Sequence, residues 1–423
     1  MGATSMAQPV TIVVLGAGAR GHTFASFAEQ FGDRAQVVAV ADPRADRRDE
    51  LAGRLGVPAG RRFRDWRELA ARPRLADAVI VTTPDREHVG PAVRFAGLGY
   101  HVLLEKPIAP GWAECVEVVE AVERAGVILA VCHVMRYTAY TEAVKRVVAG
   151  GRLGQIVGVD HLEPVGWWHF AHAYVRGNWR RADGSGPSLL TKSCHDLDWL
   201  RYVVGRPAVA VSSRGGLHHF TAANRPAGAA DRCLDCSVES TCPFSATRLY
   251  LGFLDDPKRR TWPLSVITTD LTERGVRQAL REGPYGRCVY ACDNDVADHQ
   301  VVTIEFEGGV TATLTMSAFT PMGRRRTRIM GSRGFLEGDG HQLTVTDFVT
   351  GQAEPVPVDN SGAVEGGGHG GGDFGVIGAF VDAVASGDRS LICTGPRESL
   401  DSHLMAFAAE RSRLTGAPVP VAG

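Results

Sequence analysis

A chain of 423 residues with 46 Lys and Arg against 47 Asp and Glu has a formal net charge of -1. At roughly 100–200 residues per domain it has room for two or three domains, and it lacks the basic excess of a nucleic-acid binder. Its 44% hydrophobic and 22% charged residues exclude a disordered chain or a coiled coil.

The first third alternates two kinds of pattern. Thr11 to Leu15 is a short β-branched apolar run that ends in GAGARG (16–21) and leads into a helical stretch reaching Phe31. Further strand patterns lie at Gln36 to Ala41, Ala78 to Thr82, His101 to Leu104 and Val127 to Val131, separated by helical patterns at 43–55, 88–98 and 111–124. Such alternation predicts an α/β unit with a parallel sheet and right-handed crossovers. Within it, the GxGxxG leaves a strand, opens a helix and is followed 21 residues later by Asp42 at the end of the next strand. That context is a dinucleotide-binding one. Gly16 permits the tight turn, Gly18 lets the backbone approach a pyrophosphate, and Gly21 permits close helix–strand packing. Arg20 sits inside the loop and is counted with the cofactor contacts. Asp42 would accept from ribose hydroxyls and repel a 2′-phosphate, which favours NAD over NADP, although Arg44 lies nearby.

After about residue 150 the pattern changes. Val310, Ala312, Leu314, Met316 and Ala318 alternate with Thr311, Thr313, Thr315 and Ser317, and Val302, Ile304 and Phe306 alternate just before Gly308 and Gly309. This period of two predicts a hairpin in a largely antiparallel sheet. Runs at 154–162, 207–214 and 342–349 supply further strands, and 373–387 and 397–414 read as closing helices. The glycine-dense GGGHGGGD (366–373) reads as a loop whose His369 is placed to reach a ligand. The expected domains are therefore 1–134 and 135–423.

Two segments stand apart. WWHFAHAYVRGNWRR (167–181) has no clean periodicity, and Trp168, His172, Arg176 and Trp179 within it suit the C–H faces and hydroxyls of a sugar ring, or ordinary packing. Cys233, Cys236 and Cys242 form C-x2-C-x5-C, with Cys288 after 45 further residues and Cys292 close behind. Three near thiols and one distant closer suit a tetrahedral structural zinc pinning an insertion at about 216–298, with Cys288 preferred over Cys292. Free or disulfide-bonded cysteines and an iron–sulfur cluster are the alternatives. Cys115, Cys132, Cys194 and Cys393 read as small core residues.

The longest apolar runs, such as Val127 to Met135, are about half the roughly 20 residues of a membrane span. The amino terminus MGATSMAQP has neither a basic n-region nor an apolar h-region, so no membrane association and a cytoplasmic location are expected.

With GAGARG, TTPDREH (82–88), LLEKPIA (103–109), Arg136-Tyr137 and CHDLD (194–198) in view, the chain resembles the Gfo/Idh/MocA oxidoreductases nearly end to end. The resemblance implies a Rossmann doubly wound parallel sheet followed by an α+β domain whose largely antiparallel open sheet forms a homodimer or homotetramer interface. It implies hydride transfer between a nicotinamide and a sugar, cyclitol or glycoside carbon. Lys106 would be an active-site lysine and His195 a general acid or base. Glu105, Thr83, Pro84, His88 and Arg136 would line the cofactor, and Tyr137 would face the substrate. In many relatives an Asp lies four residues before the histidine. Here that position is Thr191, and Lys192 follows it, so Lys192 is expected to hold His195 neutral or to grip substrate oxygens. Two alternatives share the fold: a redox-neutral, hydride-recycling enzyme that cleaves or epimerises glycosides, and a non-catalytic NAD(P)-sensing regulator.

Overall fold

The computed structural model describes residues 8–359 and 368–421. Residues 1–7, on which most of the leader reading rests, and Gly366 and Gly367 of the glycine loop lie outside the described residues.

Six parallel strands form the first sheet: β1 (Val10–Leu15), β2 (Ala35–Ala41), β3 (Arg62–Phe63), β4 (Ala78–Val81), β5 (His101–Leu104) and β6 (Leu129–Val131), in the order β3-β2-β1-β4-β5-β6. Helices cover both faces, so the central strands are apolar over most of their length, and Ile12, Val13, Val14 and Leu15 are all fully buried. Strand order reverses between β1 and β4, which opens a crevice at their carboxyl ends. The helix Gly372–Ser386 returns to this layer, and Phe374 meets Phe27 edge-on at 5.7 Å. A single division at residue 134 leaves that helix out, because its packing partners are remote in sequence.

The second sheet has nine strands: β7 (Ile156–Pro164), β8 (Ala208–Gly216), β9 (His299–Phe306), β10 (Thr311–Ser317), β11 (Arg326–Gly331), β12 (Gly334–Gly338), β13 (Leu343–Asp347), β14 (Ala353–Pro355) and β15 (Val419–Pro420). Their order is β14-β13-β12-β11-β7-β10-β9-β8-β15. All pairs are antiparallel except β7 with β10. In the β9–β10 hairpin Ile304 faces Ala312, and Gly308 and Gly309 turn at φ of 78° and 79°, a region that favours glycine. Leu314 and Met316 point inward and are fully buried. Leu314 joins Leu190, Leu197 and Trp199 of the helix Ser188–Val204 and Met405 of the helix Pro396–Thr415 in one core.

The β11–β12 hairpin is not among the expected strands, because β11 carries Arg326 and Arg328 on its exposed positions and only Ile329 and Met330 as large apolar residues. Between β8 and β9 the insertion consists of short helices and turns around Cys233, Tyr250, Leu264, Val276, Leu280 and Tyr285. Asp298 closes its neck. The Asp298 backbone N–H donates to the Gly216 carbonyl at 3.0 Å, and its carboxylate accepts from the N–H groups of His218 and His219. Among the described residues no helix is long and apolar enough to cross a membrane.

Candidate active site

The glycine loop after β1 meets three different demands. A Cβ at Gly16 (φ 93°) would lie 2.5 Å from the Thr82 carbonyl oxygen, and one at Gly21 would lie 2.0 Å from the Gly16 oxygen. At Gly18 a Cβ would meet only an Arg47 nitrogen at 3.8 Å, so that glycine faces open space. Gly18 also caps the helix Ala19–Gln30 without any side-chain bond, and the first turn holds no acidic residue. Free N–H groups and the helix dipole there suit a pyrophosphate. Asp42 stands at the mouth of β2 and is 9% exposed. Its carboxylate accepts from the Ala17 N–H at 2.7 Å and the Arg44 N–H at 2.8 Å, which ties the ribose-reading position to the loop.

His88 is fully buried and bridges two turns at this edge, with Nδ1 2.8 Å from the Pro107 carbonyl and Nε2 2.9 Å from the Thr83 carbonyl. Thr83 Oγ1 donates to the Glu87 carbonyl, and Pro84 leads the short turn Asp85–Glu87. Beyond β5, Glu105 accepts from the Lys106 N–H at 2.9 Å and from Arg20 Nε at 2.5 Å. Arg20 also donates to Asp373 at 2.8 Å, and His369 Nδ1 lies 3.1 Å from the other Asp373 oxygen. Burial opposes the Asp373 charge, yet His369 and Arg20 hold its carboxyl well below the usual range. The Arg20 guanidinium is therefore engaged by carboxylates and frames the Lys106 turn.

Lys106 Nζ donates to the Thr191 carbonyl at 2.6 Å, which brings the end of β5 against the helix Ser188–Val204. One turn further along that helix, His195 is 5% exposed and its Nδ1 has no hydrogen-bond partner. Burial, then the charge of Lys106, push the His195 pKa well below 6.5, so the ring is neutral. His369 lies 6.0 Å from it, centroid to centroid, and His133 5.9 Å.

Of the two roles expected of Lys192, the one of holding His195 neutral falls to another residue. Lys192 pairs with Glu163 of β7 at 3.4 Å, and the cation bearing most on His195 is Lys106. Arg325 bridges Glu163 at 2.8 Å and Asp196 at 2.6 Å, and His161 reaches Asp196 at 3.2 Å. Two cations and two carboxylates are thus packed behind the helix. Burial, despite the opposing pull of Glu163, draws the Lys192 pKa below its ordinary value.

Several residues expected at the site are engaged by other partners. Arg136 is 4% exposed, with its guanidinium taken by Asp198 at 2.6 and 2.7 Å and by the Cys393 carbonyl, so it ties helix to loop and has no free edge for a nucleotide. The Tyr137 hydroxyl bonds Thr394. Trp168 packs on Phe253 and Trp262 of the insertion under Arg259. His172 bonds Tyr250 and stacks on Tyr285, and burial lowers its pKa to about 3. Arg176 is 1% exposed and holds the insertion through the carbonyls of Arg287 and Phe244. Trp179 remains at the crevice and donates to Asp85 at 2.7 Å. In the same aromatic segment burial, then the charge of Lys192, push the His169 pKa well below 6.5.

Cys233, Cys236, Cys242 and Cys288 line a cavity of about 20 Å³. None of the nine cysteines forms a disulfide, and among the described residues no three His, Cys, Asp or Glu side chains already stand as a metal-ligating group.

These features define a nucleotide-binding oxidoreductase fold with a Lys–His pair at the crevice. The family description "oxidoreductase family, NAD-binding Rossmann fold" matches residues 10–133, and "oxidoreductase family, C-terminal alpha/beta domain" matches residues 145–421. The chain belongs to the Gfo/Idh/MocA oxidoreductase family. It is 30% identical over 187 residues to the 1,5-anhydro-D-fructose reductase of Ensifer adhaerens, covering 43% of this chain and 54% of that protein. Over 211 residues it is 29% identical to the scyllo-inositol 2-dehydrogenase (NAD(+)) of Bacillus subtilis, covering 50% and 58%. Over 143 residues it is 29% identical to the 2,7-anhydro-N-acetylneuraminate hydratase of Escherichia coli, covering 34% and 37%. The matches thus span between about a third and three fifths of these relatives. An oxidoreductase from Agrobacterium radiobacter, solved with NAD+, L-tartaric acid and magnesium, shares the fold with a TM-score of 0.70 at 17% identity, covering 98% of this chain and 99% of that one.

Proposed function

We propose that the protein is an NAD-dependent dehydrogenase that oxidises or reduces one hydroxyl-bearing carbon of a sugar, cyclitol or glycoside. The observation that carries this reading is the meeting of Lys106 with a buried, neutral His195 at the carboxyl edge of β5, on the same edge as the uncapped Gly18 helix. The nicotinamide supplies the hydride acceptor or donor. In the oxidative direction His195, neutral at pH 7, takes the hydroxyl proton, and the Lys106 ammonium orients that oxygen and stabilises its developing negative charge. Lys192, with its partner Glu163, orients neighbouring hydroxyls from the same helix. Asp42 selects NAD over NADP by accepting from the ribose and repelling a 2′-phosphate. The hydroxyl-bearing face of β10, with Val301 opposite Thr315 and 40% exposed, is the face on which a second copy would pack.

The test is a coupled one. Absorbance of the reduced nicotinamide is followed with NAD and a sugar and cyclitol panel, alongside calorimetric NAD and NADP titrations. Lys106→Ala and His195→Ala should each lower turnover about 10²–10⁴-fold with NAD affinity kept, because both act on the reacting oxygen. Asp42→Ala should remove the NAD preference. Near-normal turnover in both site variants refutes the dehydrogenase reading. The hydratase relative motivates one second reading, in which the hydride returns to the substrate after elimination. Product formation from a glycoside with no net change in nicotinamide absorbance selects it.

A further inference from the structure

Arg176 poses a charge problem. Its guanidinium is 1% exposed, yet it bonds only the carbonyls of Arg287 and Phe244 at 2.8 Å and, at 3.6 Å, the Cys233 sulfur. Nη1 has no partner, and Arg176 forms no ion pair with a carboxylate among the described residues. A buried cation without an anion is costly. Arg176 lines the same small cavity as Cys233, Cys236, Cys242 and Cys288, and the one carboxylate in that lining, Glu239, is engaged by the Ser245 hydroxyl.

Bare thiols do not solve the problem. A thiol with no cation or base beside its sulfur is mostly protonated at neutral pH and brings no charge to Arg176. A bound divalent ion reverses this, since a coordinating thiol is deprotonated outright. Zinc entering four thiols would displace four protons with no change of oxidation state, and the resulting centre carries two negative charges beside Arg176. A cavity of about 20 Å³ has room for roughly one small sphere, which suits one ion and not an iron–sulfur cluster. Cys292 is outside the lining. Its thiol donates to the Cys288 carbonyl at 3.3 Å, which decides the fourth ligand.

We propose that Cys233, Cys236, Cys242 and Cys288 bind one zinc ion as thiolates, with Arg176 compensating the charge of the centre. The thiols converge by a small contraction of the cavity. The ion cross-links the 233–242 loop to Cys288 and, through Arg176, to the segment that carries His169 past Lys192. It is a structural centre that fixes one wall of the active site.

Elemental analysis of the full-length protein, purified without added metal or chelator, should find about one zinc per chain. Cys236→Ser should lose it, and Cys292→Ser should keep it. Should Cys236→Ser fail to fold, titration of the wild-type protein with p-mercuribenzoate should release one zinc as four thiols react, read with a chromophoric chelator. Arg176→Met should weaken zinc retention against that chelator at least tenfold. Folded wild-type protein without zinc, iron with visible absorbance near the cluster region, or zinc lost from Cys292→Ser but kept in Cys288→Ser would each overturn the proposal. Zinc content is read without nucleotide or substrate, so it stands or falls separately from the dehydrogenase reading.

Discussion

Removing Arg325 tests the buried charge network most directly. The guanidinium is 15% exposed and faces Glu163 and Asp196, which are 3% and 0% exposed. In Arg325→Met, Glu163 keeps Lys192 at 3.4 Å, whereas Asp196 keeps only His161, and its second oxygen already lacks a partner. Breaking a buried pair costs roughly 3–5 kcal/mol, and because one carboxylate retains a cation the expected loss is about 3 kcal/mol. The loss should depend on pH. Burial raises the Asp196 pKa, and at present Arg325, then His161, override it and hold the carboxyl well below its ordinary value. Without Arg325, burial prevails and the folded-state pKa rises above the unfolded one. The folded variant then takes up a proton on acidification that the unfolded chain does not, so its deficit shrinks as pH falls. Urea denaturation at pH 7.5 and 5, followed by far-ultraviolet circular dichroism, measures both effects. Arg325→Met with Asp196→Asn should recover part of the loss. A deficit under about 1 kcal/mol at pH 7.5, or one of equal size at both pH values, refutes the account.

Two further outcomes follow from the geometry. Gly21→Ala drives a Cβ to 2.0 Å from the Gly16 oxygen and should lower NAD affinity at least tenfold by calorimetry, whereas Gly53→Ala, which meets nothing within 4 Å, should leave it unchanged. His133 and His403 have pKa values lowered by burial to about 4 and about 3. Between about pH 4 and 6.5 the unfolded chain therefore binds more protons than the folded one, and stability present above pH 6.5 is lost as pH falls through that window, by about 1.4 kcal/mol per pH unit for each ring. His133→Gln should flatten the slope by about one such share between pH 5.5 and 4.5; an unchanged slope counts against a neutral His133.

How much of this was legible in the chain differs from residue to residue. The glycine loop, Asp42 after β2 and the β9–β10 hairpin were readable because their constraints are local: a φ only glycine tolerates, a close approach a Cβ would block, a two-residue alternation. Lys106 and His195 were recognisable through short motifs, but the reason His195 is neutral was not, since it depends on burial and on a lysine from another sheet edge. Arg325 is, in the sequence, only one of three consecutive arginines at 324–326, because its partner Asp196 lies 129 positions away. For Trp168, His172 and Arg176 the residue types were equally suited to a sugar and to packing, and the insertion that takes them up is remote in sequence. Sequence by itself determined the strand–helix alternation of the first sheet, the β9–β10 hairpin of the second and the nucleotide loop, all set by periodicity or by conformations that few residues allow. Tertiary structure alone decided where each charged or aromatic side chain points, because that direction minimises unpaired buried charge across segments that meet only in the folded chain.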